Sequence, residues 1–94
     1  QITGCIIYGP LAFDNAISKE SAEHKKIVSE VAGDTDFIIV PNIEVGNALY
    51  KSFTYFAGGT VAGLVLGAKV PVVLTSRSDT DKSKLASIVL AASY

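Results

Sequence analysis

Between Pro71 and Asp81 the chain changes its period, and that change limits the folds open to it. Val72, Val73, Leu74 and Thr75 form the apolar, β-branched run of a buried strand. Ser76 and Arg77 interrupt it. Ser78 and Asp81 then match the capping box that opens a helix. Leu85, Ile88, Val89 and Ala92 follow at i, i+3, i+4 and i+7, which predicts one apolar helical face. A strand running straight into a helix is the unit of an α/β fold, and ligands bind such folds where the strand ends. Ser76 and Arg77 occupy that place, and Arg77 is the one arginine among eight basic residues.

The preceding chain repeats the alternation. Ile2–Tyr8 reads as a first strand ended by Gly9-Pro10. A helix is expected from Asn15 to Lys26, with Asp14 as N-cap. Val31–Asp34 reads as a turn, and Phe37–Pro41 as a second, wholly apolar strand. A helix then runs from Asn42 to about Ala57, ending at Gly58-Gly59. Its apolar face is Val45, Ala48, Leu49, Phe53 and Phe56, and Asn47, Tyr50, Lys51 and Thr54 line the other side. Val61–Leu66 and Val72–Thr75 are the third and fourth strands, joined closely enough for a hairpin as well as a crossover. The order β-α-β-α-β-β-α predicts a three-layer α/β/α sandwich with a mixed, mostly parallel sheet.

Composition narrows the function. Of 94 residues, 49% are hydrophobic and mean hydropathy is +0.40. A chain this short buries only ~60–65% of its unfolded surface, so some apolar surface is expected to face another chain or domain. Together with Gln1 at the first position, this predicts a piece of a larger protein. Net charge is −1 and no basic run exceeds Lys25-Lys26, which argues against nucleic acid. No apolar run has the length of a membrane span, and Cys5-Ile6-Ile7-Tyr8 lacks a signal peptide's basic flank. One cysteine makes no internal disulfide and points to a reducing, cytoplasmic compartment. His24 stands in a charged run without the further ligands a metal needs.

Two groups of residues could carry chemistry. At Ser76-Arg77, helix-start N–H groups and a planar guanidinium suit an anion; equally, Arg77 could pair with Asp79 or Asp81 and tie down the turn. The stripe Asn47, Tyr50, Lys51 and Thr54 could line a cleft, or could simply face water. No Walker A, G-x-S-x-G, H-E-x-x-H or G-x-G-x-x-G motif is present.

In order, Gly9-Pro-Leu-Ala-Phe-Asp14, Ser29–Asp34, Val40–Lys51, Val65-Leu-Gly67 and Pro71–Arg77 resemble the C-terminal third of the phosphate acetyl/butyryltransferase family. Thr75-Ser-Arg-Ser-Asp79, where acetyl enzymes more often carry Leu-Ser-Arg-Gly-Cys, leans to the butyryl branch. The resemblance implies that residues 1–94 are the C-terminal part of an acyltransferase domain related in fold to isocitrate and isopropylmalate dehydrogenases. It implies reversible acyl transfer between coenzyme A and phosphate, with acyl-CoA and phosphate as substrates and no tightly bound cofactor. A homodimer or larger homo-oligomer is expected. Catalytic roles would fall to Ser76, Arg77 and Asp81, and binding roles to Asn47, Tyr50, Lys51, Gly9, Pro10 and Asp14. Acetyl-type members have an aspartate, proposed as the thiol's base, seven residues after the serine; here Ser83 stands there. A non-catalytic regulatory or oligomerisation domain of the same family is the alternative.

Overall fold

Six elements form in the computed structural model, which describes residues 1–94: α1 (Phe13–Ile17), α2 (Lys19–His24), α3 (Ile43–Tyr55), β1 (Leu64–Val65), β2 (Val72–Val73) and α4 (Asp81–Ser93). They fall in two compact units, Gln1–Ile39 and Val40–Tyr94. The architecture is mixed α/β with one small sheet. No helix is long and apolar enough to cross a membrane.

In the first unit, the segment read as a strand at residues 2–8 bends at Gly4-Cys5 and pairs with nothing. The peptide bond between Gly9 and Pro10 is cis. The helix expected over 15–26 is two short ones, and Asp14 lies inside α1 rather than capping it. Ser18 causes the break. Its backbone is extended, its N–H bonds the Asp14 carbonyl at 2.9 Å, and its hydroxyl accepts from the Ser21 N–H at 3.2 Å. A serine that caps a new helix competes with continuation of the old one. Ala16, Ala22 and Asn15 are the buried side chains here.

The turn at Val31–Asp34 forms as expected, closed by the Asp34 N–H on the Val31 carbonyl at 3.0 Å. Gly33 carries φ +79, and its N–H reaches the Asn15 carbonyl at 2.8 Å. A Cβ there would meet the Lys19 Cα at 2.6 Å, so only glycine fits.

The second unit begins with Val40, and residues 37–41 form no strand. α3 starts where the sequence places it, and Asn42 proves to be its cap, its side chain accepting from the Val45 N–H at 2.9 Å. β1 and β2 pair antiparallel, Leu64 with Val73 and Val65 with Val72, so the pairing is that of a hairpin. The expected parallel pairing is absent from this chain; lone apolar segments cannot form a sheet without a neighbouring strand to accept their N–H groups.

α4 lies on both strands of the hairpin. Its cap is Thr80, not Ser78: the Thr80 hydroxyl accepts from the Ser83 N–H at 3.2 Å. The buried stripe is Ser83, Ser87 and Ala91, whereas the predicted face is turned outward, with Leu85 61% exposed. A hydroxyl on the inner stripe meets a backbone donor of the hairpin, which a large apolar side chain could not satisfy. Gly63 donates its N–H to the Ser87 Oγ at 3.0 Å, and a Cβ on Gly63 would sit 2.9 Å from the Leu74 carbonyl oxygen. α3 departs from its predicted facing in part: Val45 and Phe53 are exposed and Leu49 is half-buried, while Tyr50, Lys51 and Thr54 of the polar stripe are half-buried too.

Candidate functional site

The site grows from the way β2 leaves the hairpin. After Leu74 and Thr75 the chain folds back on itself, with the Asp79 N–H on the Ser76 carbonyl at 3.0 Å. The Asp79 carboxylate closes the same turn from the other side: Oδ2 accepts from the Ser76 N–H at 2.7 Å. This is the carboxylate half of a capping box, on a tight turn rather than a helix start. Three such spacings overlap here, 76/79, 78/81 and 80/83. The first closes the turn and the third caps α4. Hydropathy cannot rank them, since all three are short polar pairs.

α3 supplies the other wall. Lys51 Nζ donates to the Ser76 Oγ at 3.2 Å and to the Ser78 Oγ at 2.8 Å, and lies 4.6 Å from the centroid of the Tyr50 ring. Tyr50 donates its phenol O–H to Asp79 Oδ1. The polar stripe of α3 is therefore the covered side of the helix at Tyr50, Lys51 and Thr54, and not a solvent face. Asn47 is exposed; with Tyr50 it lines a hollow of about 580 Å³ along α3.

Proton accounting fixes what Ser76 can do. A hydroxyl has two acceptor positions and one donor. Lys51 Nζ takes one acceptor position and the Ser78 N–H, at 3.4 Å, the other. The Ser76 O–H is left to donate, either to the Ser78 Oγ at 3.1 Å or to an incoming oxygen. The serine is thus wired as a donor with a cation behind it.

Arg77 is exposed and makes no ion pair, so the reading in which it ties the turn to Asp79 or Asp81 does not hold; Asp79 does that work through backbone and phenol. Asp81 opens α4, fully exposed, with Lys84 at 3.9 Å, and takes no part in the Ser76 cluster. A cavity of about 390 Å³ beside the cluster is lined by Lys51, Lys82, Ser78, Thr80 and Ser83, among others, and by Asp79, whose carboxylate is engaged by Ser76 and Tyr50. Two lysines and several hydroxyls around one cavity suit an anion. Ser78 and Asp79 were not singled out from the sequence as site residues; the Ser76-x-x-Asp79 spacing was the signal available.

Gly9, Pro10 and Asp14 belong to the first unit. There Asp14 Oδ2 accepts from the Ser21 hydroxyl, from Lys25 Nζ at 3.2 Å and from Asn15 Nδ2 at 3.3 Å. The Ser21 bond, then Lys25, holds the carboxyl below the ordinary aspartate range.

Known proteins resemble this chain in sequence and in fold. The family profile described as phosphate acetyl/butaryl transferase matches residues 2–92. A phosphate butyryltransferase of Clostridium beijerinckii is 51% identical over 92 residues, 98% of this chain and 30% of that protein. A phosphate acetyltransferase of Rhizobium meliloti is 53% identical over 94 residues, 100% of this chain and 30% of that protein. The crystal structure of a branched-chain phosphotransacylase from Enterococcus faecalis V583 superposes with a TM-score of 0.81 at 49% identity, over 90% of this chain and 32% of that one. The chain thus spans about 30% of the length of the relatives it matches. With nearly every residue matched, the chain belongs to the phosphate acetyl/butyryl transferase family.

Proposed function

We propose that residues 1–94 are the C-terminal part of a phosphate acyltransferase domain whose intact protein moves an acyl group reversibly between coenzyme A and inorganic phosphate. The observation that carries this is the Ser76 hydroxyl, whose acceptor positions are filled and whose proton can turn from the Ser78 Oγ, 3.1 Å away, to a substrate oxygen. In the direction of acyl-CoA synthesis, the CoA thiolate attacks the acyl carbon of the acyl phosphate. A C–S bond forms, the carbonyl oxygen gains negative charge, and the C–O bond to phosphate breaks with its electron pair leaving on phosphate. Ser76 donates to the developing oxyanion, and Arg77 holds the departing phosphate. Lys51 adds positive field, which favours thiolate over thiol. Asp79 has both oxygens engaged by Tyr50 and Ser76 and is not placed as the base.

Asn47 lines the α3 hollow as a binding residue, and Gly9, Pro10 and Asp14 serve binding through the first unit. Acyl-CoA and phosphate enter as substrates, and no cofactor stays bound. The Ser78-Asp79 pair favours a butyryl or other short acyl chain. In the intact cytoplasmic homo-oligomer, residues 2–8 and 37–41 join a larger sheet, completing the dehydrogenase-like three-layer sandwich.

The test is phosphate-dependent cleavage of butyryl-CoA by the intact protein. Ser76→Ala should lower kcat by about 10²–10³-fold, the usual cost of losing an oxyanion donor. Arg77→Ala should raise the KM for phosphate. Wild-type kinetics in both variants would overturn the assignment. Ser83, where the acetyl branch has an aspartate, favours a second reading, a non-catalytic regulatory or oligomerisation domain. An intact wild-type protein with no cleavage at all would support that one.

A further inference from the structure

Asp79 serves two partners with two oxygens. Oδ2 and the Asp79 N–H bracket the Ser76 peptide, at 2.7 Å on its N–H and 3.0 Å on its carbonyl. Oδ1 accepts from the Tyr50 phenol. Tyr50 precedes Lys51 on α3, so the helix grips the turn at two consecutive residues. Tyr50 holds it through Asp79, and Lys51 holds it through Ser76 and Ser78. The two grips differ in stiffness. A lysine reaches its partners on a flexible four-carbon stem, whereas a phenol is a rigid strut. Lys51 Nζ lies 3.2 Å from the Ser76 Oγ, and of the two grips the phenol is the one stiff enough to fix the turn that carries this serine.

We infer that Tyr50 and Asp79 form a positioning pair that fixes the Ser76 hydroxyl for the reaction, and that Tyr50 acts through Asp79 and not as a ligand of CoA or phosphate. The inference rests on the reading of Ser76 as the donor to the reacting oxygen. Misplacing a reacting group by about 1 Å can cost on the order of 10²-fold in rate. Loss of the strut should therefore appear in kcat, while substrate affinity is unchanged.

The experiment measures kcat and KM for butyryl-CoA and phosphate in the intact protein. The variants are Tyr50→Phe, Asp79→Ala, Asp79→Asn and the double variant Tyr50→Phe/Asp79→Ala, with Ser76→Ala as reference. Tyr50→Phe should lower kcat about 10–100-fold with both KM values within about twofold of wild type. The double variant should be no worse than Asp79→Ala alone, because one interaction is lost only once. Asp79→Asn should recover part of the loss, since an amide oxygen can still accept from the Ser76 N–H.

A raised KM with intact kcat in Tyr50→Phe would make Tyr50 a substrate ligand and overturn the inference. Multiplied losses in the double variant would overturn it too. Should Tyr50→Phe fail to fold, equal kcat in Asp79→Asn and Asp79→Ala would do the same. A silent Ser76→Ala sinks the reading of the site and the inference with it. An impaired Ser76→Ala beside a silent Tyr50→Phe sinks the inference alone.

Discussion

At the scale of single residues, polar side chains here are set by what else bonds to them. Ser76 is a donor because Lys51 and a backbone N–H occupy its lone pairs. Asp14 shows the same logic in the first unit, where three donors converge on one oxygen and stabilise its charged form. Its lowered native pKa contributes stability that is present above the unfolded value and is lost as pH falls through the native one. Titrating the Asp14 carboxyl by NMR should give a midpoint below the ordinary 3.8. The stability difference between wild type and Asp14→Asn should vanish at still lower pH. A midpoint at or above the ordinary value would contradict the network. The candidates Ser76, Arg77, Tyr50 and Lys51 were legible as residue types at a strand end and on one helix face. Asp79 was not, because its role depends on a backbone N–H three residues back and a phenol on another element.

At the scale of elements, α4 shows where hydropathy misleads. Its period is visible in the sequence, and the helix forms as expected; which stripe faces the hairpin is not visible. Period alone places Leu85, Ile88 and Val89 on one side and Ser83, Ser87 and Ala91 on another, and the usual choice puts the large residues inside. The hairpin instead presents the Gly63 N–H to α4, a donor that needs a partner. Ser87, with a hydroxyl that accepts from that N–H, takes the contact. Ser87, 2% exposed, should therefore be less tolerant than Leu85. In the 94-residue chain, Ser87→Leu should cost at least ~2 kcal/mol, from overpacking and an orphaned Gly63 N–H. Leu85→Ser should stay within about 0.5 kcal/mol, as exposed substitutions do. Urea midpoints measure both, and the reverse order would refute this packing. The start of α3 at Asn42 was legible; the break at Ser18 was not, because a charged, helix-compatible run continues past it.

At the scale of the whole molecule, the buried apolar side chains are Ala16, Ala22 and Ala91, while Ile6, Ile7, Phe37, Ile39, Ile43, Phe56 and Ile88 are exposed. An apolar surface this extensive exceeds what soluble monomers ordinarily leave uncovered. The isolated chain should therefore self-associate, with a weight-average mass in sedimentation that rises with concentration. A clean monomer at high concentration would count against this. The apolar excess was legible from composition, but the sheet was not: the apolar runs at residues 2–8 and 37–41 read as strands, yet a strand needs a neighbour to take its N–H groups, and the sequence names none.

The Tyr50–Asp79 strut also bears on loop exchange within the family. Replacing the turn by the acetyl-type Ser-Arg-Gly-Cys means Ser78→Gly and Asp79→Cys together. Lys51 then loses one of its two hydroxyl partners, and the Tyr50 phenol, a half-buried donor, faces a thiol that accepts poorly. The turn is thus not a free-standing cassette. A working transplant has to carry position 50 of α3 with it, although that position is nearly thirty residues away in the chain.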